Sequence, residues 1–138
     1  MQKDKIKILI IGNGFGGTYT LKNLTKFFQK SKDVELSLIG EKNYFLFTPL
    51  LHEVATGSIN PENIIEPIRK VFDKSLANFY LGKVEEIDLD NKIVKACNTT
   101  IHYDYLVIAS GAETNFYNIK GAQDYTLTLK SLEDAIKI

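Results

Sequence analysis

The chain has 138 residues, 44 % of them apolar and 11 % aromatic, enough for one hydrophobic core and too few for two complete nucleotide-binding domains. Seventeen basic residues balance seventeen acidic ones, so no net field favours nucleic acid, and no nucleic-acid partner is expected. Cys97 is the one cysteine, which excludes an internal disulfide and a metal site built from several thiolates, and which fits a reducing compartment. No apolar run approaches the roughly 20 residues of a membrane-spanning helix. Met1 to Lys7 alternates charged and apolar residues without a cleavage pattern, so no signal peptide is expected.

Lys5 to Ile11 reads as a strand buried on both faces, because a near-continuous Ile/Leu run closed by glycine suits a central parallel strand. Gly12-Asn13-Gly14-Phe15-Gly16-Gly17 follows at once. A strand that ends in glycines at this spacing and turns directly into a helix is a cradle for a dinucleotide pyrophosphate. Gly12 permits the tight turn, Gly14 lets backbone approach the phosphates, and Gly17 lets the helix pack close to the sheet. The ligand's charge then meets the N–H groups of a helix N-terminus. That helix is expected over Gly14 to Lys30, with Leu21, Leu24 and Phe28 inward and Lys22, Lys26 and Lys30 outward.

Val34 to Ile39 is a second strand, completing a right-handed βαβ unit. It ends at Gly40-Glu41, and Glu41 stands 24 positions after Gly17 with Lys42 beside it. An acid there is placed to accept hydrogen bonds from ribose hydroxyls, whereas it would repel a 2′-phosphate. Residues 43–57 are apolar but aperiodic, and Pro49 forbids a central strand, so a loop entering a short helix is expected. Pro61 to Leu76 reads as a helix with Asn60 as N-cap, kinked or split near Glu66 by Pro67.

Asn78 to Gly82 supplies a third strand. Val84 to Leu89 and Lys92 to Cys97 then read as a hairpin about Asp90-Asn91, extended into a meander by Thr100 to Tyr103. Tyr105 to Ala109 reads as another buried strand, ending at Ser110-Gly111, and residues 112–126 as mostly loop. Ser131-Leu132-Glu133-Asp134 has the pattern of a capping box opening a helix. The fold class is therefore α/β, a Rossmann-like parallel sheet with an inserted antiparallel β-meander. A simple NAD-dependent dehydrogenase would keep alternating strand and helix after the third strand. A meander at that point indicates instead the first domain of a two-dinucleotide-binding-domain flavoprotein.

Three stretches carry a more specific resemblance: the Gly12–Gly17 turn, Phe47-Thr48-Pro49-Leu50-Leu51-His52-Glu53-Val54-Ala55-Thr56-Gly57, and Tyr103-Asp104-Tyr105-Leu106-Val107-Ile108-Ala109-Ser110-Gly111-Ala112. Together they resemble the N-terminal FAD region of type II NADH:quinone oxidoreductases. The resemblance implies that Gly12, Gly14, Phe15, Gly16, Gly17, Glu41 and Lys42 hold the ADP part of FAD. It likewise implies that Thr48, Pro49 and Leu50 pass beside the isoalloxazine, and that the backbone of Val84 meets the adenine. Ala109, Ser110 and Gly111 correspond to an Ala-Thr-Gly turn of the family, with serine here in place of threonine.

The chemistry so implied is a two-electron relay from NADH through flavin to a quinone, without proton pumping, and with no catalytic side-chain triad or carboxylate pair. The resemblance also implies an FAD-binding domain over residues 1–112, with 113–138 as a linker and the start of an NADH-binding domain. The whole protein is expected to act in the respiratory chain, in the cytoplasm or as a peripheral protein on the cytoplasmic face of the inner membrane, and as a possible homodimer. The family's second glycine fingerprint and returning FAD segment do not occur in these 138 residues, so the chain alone is expected to bind FAD weakly without turning over NADH.

The remaining candidates have ordinary readings. Cys97 could belong to a sulfide:quinone oxidoreductase relay, which shares the scaffold, but a lone hairpin thiol reads as inert. His52 reads as an orienting or packing residue and His102 as a surface residue, while Glu53, Glu62 and Glu66 stabilise helix starts locally. Phe45, Phe47, Leu50 and Leu51 serve equally as core or as a wall for a quinone. A nucleotide-binding module without chemistry of its own is the alternative from a different class.

Overall fold

The structure is a computed structural model that describes residues 5–72 and 75–138. Strands β1 (Ile6–Ile11), β2 (Val34–Gly40), β5 (Ala77–Leu81) and β9 (Tyr105–Ile108) form a parallel sheet in the order β5-β2-β1-β9. Helix α1 (Phe15–Phe28) makes the crossover from β1 to β2. The alternation of side chains explains why β1 and β2 read as continuous apolar runs. Ile10, Leu36 and Leu38 join Leu21 of α1, Ile68, Phe72 and Ala77 on one face, while Leu9, Ile11 and Ile39 meet Val94, Ala96, Ile101 and Tyr103 on the other.

That second face is covered by the meander of β6 (Val84–Asp88), β7 (Ile93–Ala96) and β8 (Thr99–His102), an antiparallel sheet of its own. The tight link between β7 and β8 is Cys97-Asn98, both at φ 56°, a two-residue turn with two left-handed residues. Cys97 therefore belongs to the turn and not to the strand expected through it. Asp88 closes the β6–β7 loop by accepting from the main-chain and side-chain nitrogens of Asn91, at 2.9 and 2.8 Å. Those two bonds hold its carboxyl below the usual carboxylate range.

Two expectations are corrected. Residues 61–76 do not make a split helix: Pro61–Ile64 is a 3₁₀ turn, β4 spans Ile65–Pro67, and α3 is confined to Ile68–Val71. The ring of Pro67 disfavours helical backbone at Glu66, and extended backbone runs on through Ile65 (ψ 141°) and Pro67 (ψ 129°). Asn60 makes no side-chain capping bond. The expected helix also crosses Asp73 and Lys74, which lie outside the described residues, as do Met1 to Asp4.

The second correction concerns the strand expected to be buried at 105–109. Within the described residues β9 is an edge strand, with Tyr105 63 % and Ile108 60 % exposed, while Leu106 and Val107 face the two cores.

The chain divides into two compact units, one of residues 1–45 and 67–111, the other of 46–66 and 112–138. In the second unit α2 (Leu51–Ala55) packs on α5 (Leu132–Lys137), burying Leu51, Val54, Ile64 and Ala135. The expected capping box is present. Ser131 Oγ accepts from Asp134 N at 3.0 Å, and Asp134 Oδ2 accepts from Ser131 N at 3.0 Å and Lys130 N at 2.9 Å. A further short helix, α4 (Ala122–Tyr125), lies in the stretch expected to be mostly loop.

Candidate functional site

β1 delivers the chain to Gly12 at φ 97°, a conformation that L side chains rarely adopt. A Cβ at Gly12 would collide with the carbonyl oxygen of Ala109, and one at Gly17 with the carbonyl oxygen of Gly12. These two glycines are thus required by the protein's own packing: Gly12 by the segment that follows β9, Gly17 by the approach of α1 to the turn at Gly12. The Gly12 amide donates to Ile39 O and the Ala109 amide to Ile11 O, both at 2.8 Å, so the C-terminal ends of β1, β2 and β9 are tied together.

Gly14 is different. It is the N-cap of α1, with φ −75° and ψ −163°, a conformation open to any residue. A Cβ there would meet no protein atom within 4 Å. Its carbonyl accepts the first helical bond from Thr18 N at 3.0 Å, no side chain caps the helix, and no acid stands in the first turn. The positive end of the helix dipole consequently has no counter-charge from its own first turn. A pyrophosphate fits such a cradle: the space beside Gly14 is open, and nothing in the protein's own packing requires glycine there.

The second half of the site is the turn after β2. Glu41 and Lys42 are exposed there, immediately after the buried Gly40. Asn13, the middle residue of Gly-x-Gly, donates from Nδ2 to the carbonyl oxygens of Lys42 at 2.7 Å and Tyr44 at 3.0 Å. Its own carbonyl accepts from the hydroxyl of buried Thr18 at 3.0 Å. Phe15 stacks with Tyr19 and meets the edge of Phe45, with ring centroids 6.1 and 4.9 Å apart. Phe15 and Phe45 therefore fasten the start of α1 to the chain after β2.

The structure thus gathers Gly12, Gly14, Phe15, Gly16, Gly17, Glu41, Lys42 and Ala109 at one end of the first sheet. A Cβ at Gly16 would lie 3.4 Å from that of Ala109, and one at Gly12 would lie 3.2 Å from Ser110 N. Gly111, at φ 78°, lies in the stretch after β9. Val84 opens β6 and packs against the Leu9–Ile39 cluster. Thr48, Pro49 and Leu50 form a 3₁₀ turn in the other compact unit, where Thr48 and Pro49 are exposed and Leu50 packs on the Leu51–Val54 core. His52 lies exposed in α2, and His102 exposed in β8.

Three residues of this end escaped the sequence reading: Asn13, Thr18 and Gly40. The signals were slight, a side-chain amide at a variable motif position, a hydroxyl on the inward face of α1, and a glycine next to the acid. A cavity of about 720 Å³ opens instead around Lys5, Val34, Glu35 and Ser75 at the N-terminal ends of the strands. Open α/β sheets bind ligands at the carboxyl ends, where the glycine turn lies.

The model of the pyridine nucleotide-disulphide oxidoreductases matches residues 6–138. The chain belongs to that family. Among relatives of these oxidoreductases, the external alternative NAD(P)H-ubiquinone oxidoreductase B2 of Arabidopsis thaliana mitochondria is 36 % identical over 97 % of this chain and 24 % of its own length. The type II NADH:quinone oxidoreductase of Staphylococcus haemolyticus is 31 % identical over 100 % of this chain and 34 % of its own. In structure, the chain superposes on NDH2 from Plasmodium falciparum in complex with NADH with a TM-score of 0.84, at 33 % identity, over 96 % of this chain and 28 % of that one. Sulfide:quinone oxidoreductase from Aquifex aeolicus superposes equally well, with a TM-score of 0.85 at 32 % identity over 96 % and 30 %. The chain spans only about a quarter to a third of the length of these proteins.

Proposed function

We propose that this chain is the FAD-binding portion of an NADH:quinone oxidoreductase. The observation that carries the reading is the contrast among the motif glycines: Gly12 and Gly17 are closed in by protein, whereas the space beside Gly14 is open at an uncapped helix N-terminus. In this reading residues 1–112 are the FAD-binding domain, and 113–138 link it to an NADH-binding domain. The first-turn amides of α1 hold the pyrophosphate, and the exposed carboxylate of Glu41 accepts from the ribose diol. Lys42 lies at the rim, and the Val84 backbone meets the adenine. In the same reading Ala109, Ser110 and Gly111 meet the cofactor beside the glycine turn.

When bound, FAD supplies the two-electron chemistry between NADH and quinone, while the protein supplies placement and electrostatics. The names of the relatives, which pair NAD(P)H with ubiquinone or quinone, support this pair of substrates. No helix among the described residues is long and apolar enough to cross a membrane, and a peripheral position on the cytoplasmic face of the inner membrane fits a quinone acceptor. A homodimer belongs to the same proposal. Sulfide as donor is the rival reading: Cys97 sits in a tight turn with its thiol donating to Leu81 O at 3.2 Å and cannot run a disulfide relay alone, so thiols outside these 138 residues discriminate the two.

The test is the visible spectrum of the purified protein, with mass spectrometry of whatever a denatured sample releases, followed by NADH oxidation with a soluble quinone. Weak flavin absorption, released FAD and no steady NADH turnover by these 138 residues alone are expected. Release of NAD or ADP in place of FAD would overturn the reading in favour of a plain nucleotide-binding module.

A further inference from the structure

Asn13 fills the variable position of the glycine motif, yet it is fixed at both ends. Its main-chain carbonyl accepts from Thr18 Oγ1 at 3.0 Å, which ties it to the first turns of α1. Its Nδ2 donates to Lys42 O at 2.7 Å and Tyr44 O at 3.0 Å. Both partners are carbonyl oxygens, so the nitrogen of the carboxamide, and not its oxygen, must face them.

Gly40 completes the arrangement from the other side. A Cβ at Gly40 would press into the Asn13 side chain, and 2.8 Å would separate it from Asn13 Cβ. Gly40 does not have a positive φ, so glycine is required there for space and not for backbone conformation. Glu41 therefore sits between two residues that lie against Asn13, Gly40 by close approach and Lys42 by hydrogen bond. The turn that carries it is otherwise exposed over residues 41–43. One side chain links the phosphate turn, through the residue directly before Gly14, to the acid.

We propose that Asn13 is a positioning residue that, locked against Gly40, sets the Glu41 turn at the distance from the glycine turn that an adenosine ribose requires. The inference rests on the FAD reading and identifies the residue that prepares the acid for its ligand. Preorganisation of this kind raises affinity by ordering the turn before the ligand arrives.

The test measures binding of FAD and ADP by titration calorimetry for the unaltered protein, Asn13→Asp, Asn13→Ala and Gly40→Ala. Asn13→Asp keeps the shape but sets carboxylate oxygens against two carbonyl oxygens. Each substitution is expected to weaken both ligands about ten- to a hundredfold, the loss of two hydrogen bonds and of an ordered turn. Thermal unfolding without ligand shows that each variant is folded.

A purely structural role is separated from positioning by a double-mutant cycle with Glu41→Ala. If Asn13 acts through Glu41, the Asn13→Ala penalty shrinks severalfold once Glu41 is gone. An equal penalty in both backgrounds, or unchanged affinity in the Asn13 variants, overturns this inference and leaves the FAD reading standing. Failure of the unaltered protein to bind FAD or ADP overturns both.

Discussion

Gly14→Val tests the placement of the pyrophosphate, because the structure separates its effect on the ligand from its effect on the fold. The backbone at Gly14 suits an L residue, and the new Cβ meets nothing within 4 Å. The cost to stability is that of an unfavoured N-cap residue, under about 1 kcal/mol. A ligand phosphate at the α1 N-terminus would, by contrast, be displaced from the first-turn amides. Two charge-assisted bonds, each about 1.5 to 3 kcal/mol, represent about 3 to 6 kcal/mol in all, or roughly 10²- to 10⁴-fold in Kd. The assay is FAD titration by flavin fluorescence, paired with thermal unfolding monitored by circular dichroism. A folded variant with unchanged FAD affinity would refute the placement.

Gly12→Ala should behave oppositely, destabilising the protein without ligand by at least about 1 to 3 kcal/mol from backbone strain alone, with a further cost where the methyl meets Ala109; thermal unfolding checks it. Glu41→Ala is expected to weaken FAD about ten- to a hundredfold while leaving Tm nearly unchanged, as isothermal titration and melting would reveal. Truncation of fully buried Leu38 to alanine should cost about 2 to 5 kcal/mol in urea unfolding. Asp134 provides a pH test. Main-chain bonds from Lys130 and Ser131 lower its pKa from the ordinary 3.8, so its contribution to folding is complete above that value and is lost as pH falls through the lower folded value. Amide exchange in α5 should accelerate over that acid range, and Asp134→Asn should remove the dependence.

The strand–glycine–helix–strand order was legible in the sequence because each step depends on local rules. A run apolar on both faces makes a central strand, glycine permits the turn, and a 3.6-residue period marks α1. The capping box at Ser131 and the meander after Gly82 were legible for the same reason. What failed was non-local. The local pattern at Pro67 points to a kinked helix, whereas extended backbone makes residues 65–67 a strand, β4, that pairs with β3 (Tyr44–Leu46), some twenty residues earlier in the chain.

The sequence by itself determined the make-up of the glycine turn: which residues are glycine, where the acid stands, and that a helix begins directly after the turn. Only the tertiary structure decided why each glycine is there. Gly12 and Gly17 answer to Ala109 and to each other, Gly40 answers to Asn13, and Gly14 answers to no protein atom. It also decided that residues 112–138 pack with 46–66, through α5 on α2. Such partners are set by close packing between segments far apart in the chain, and spacing along the sequence does not encode them.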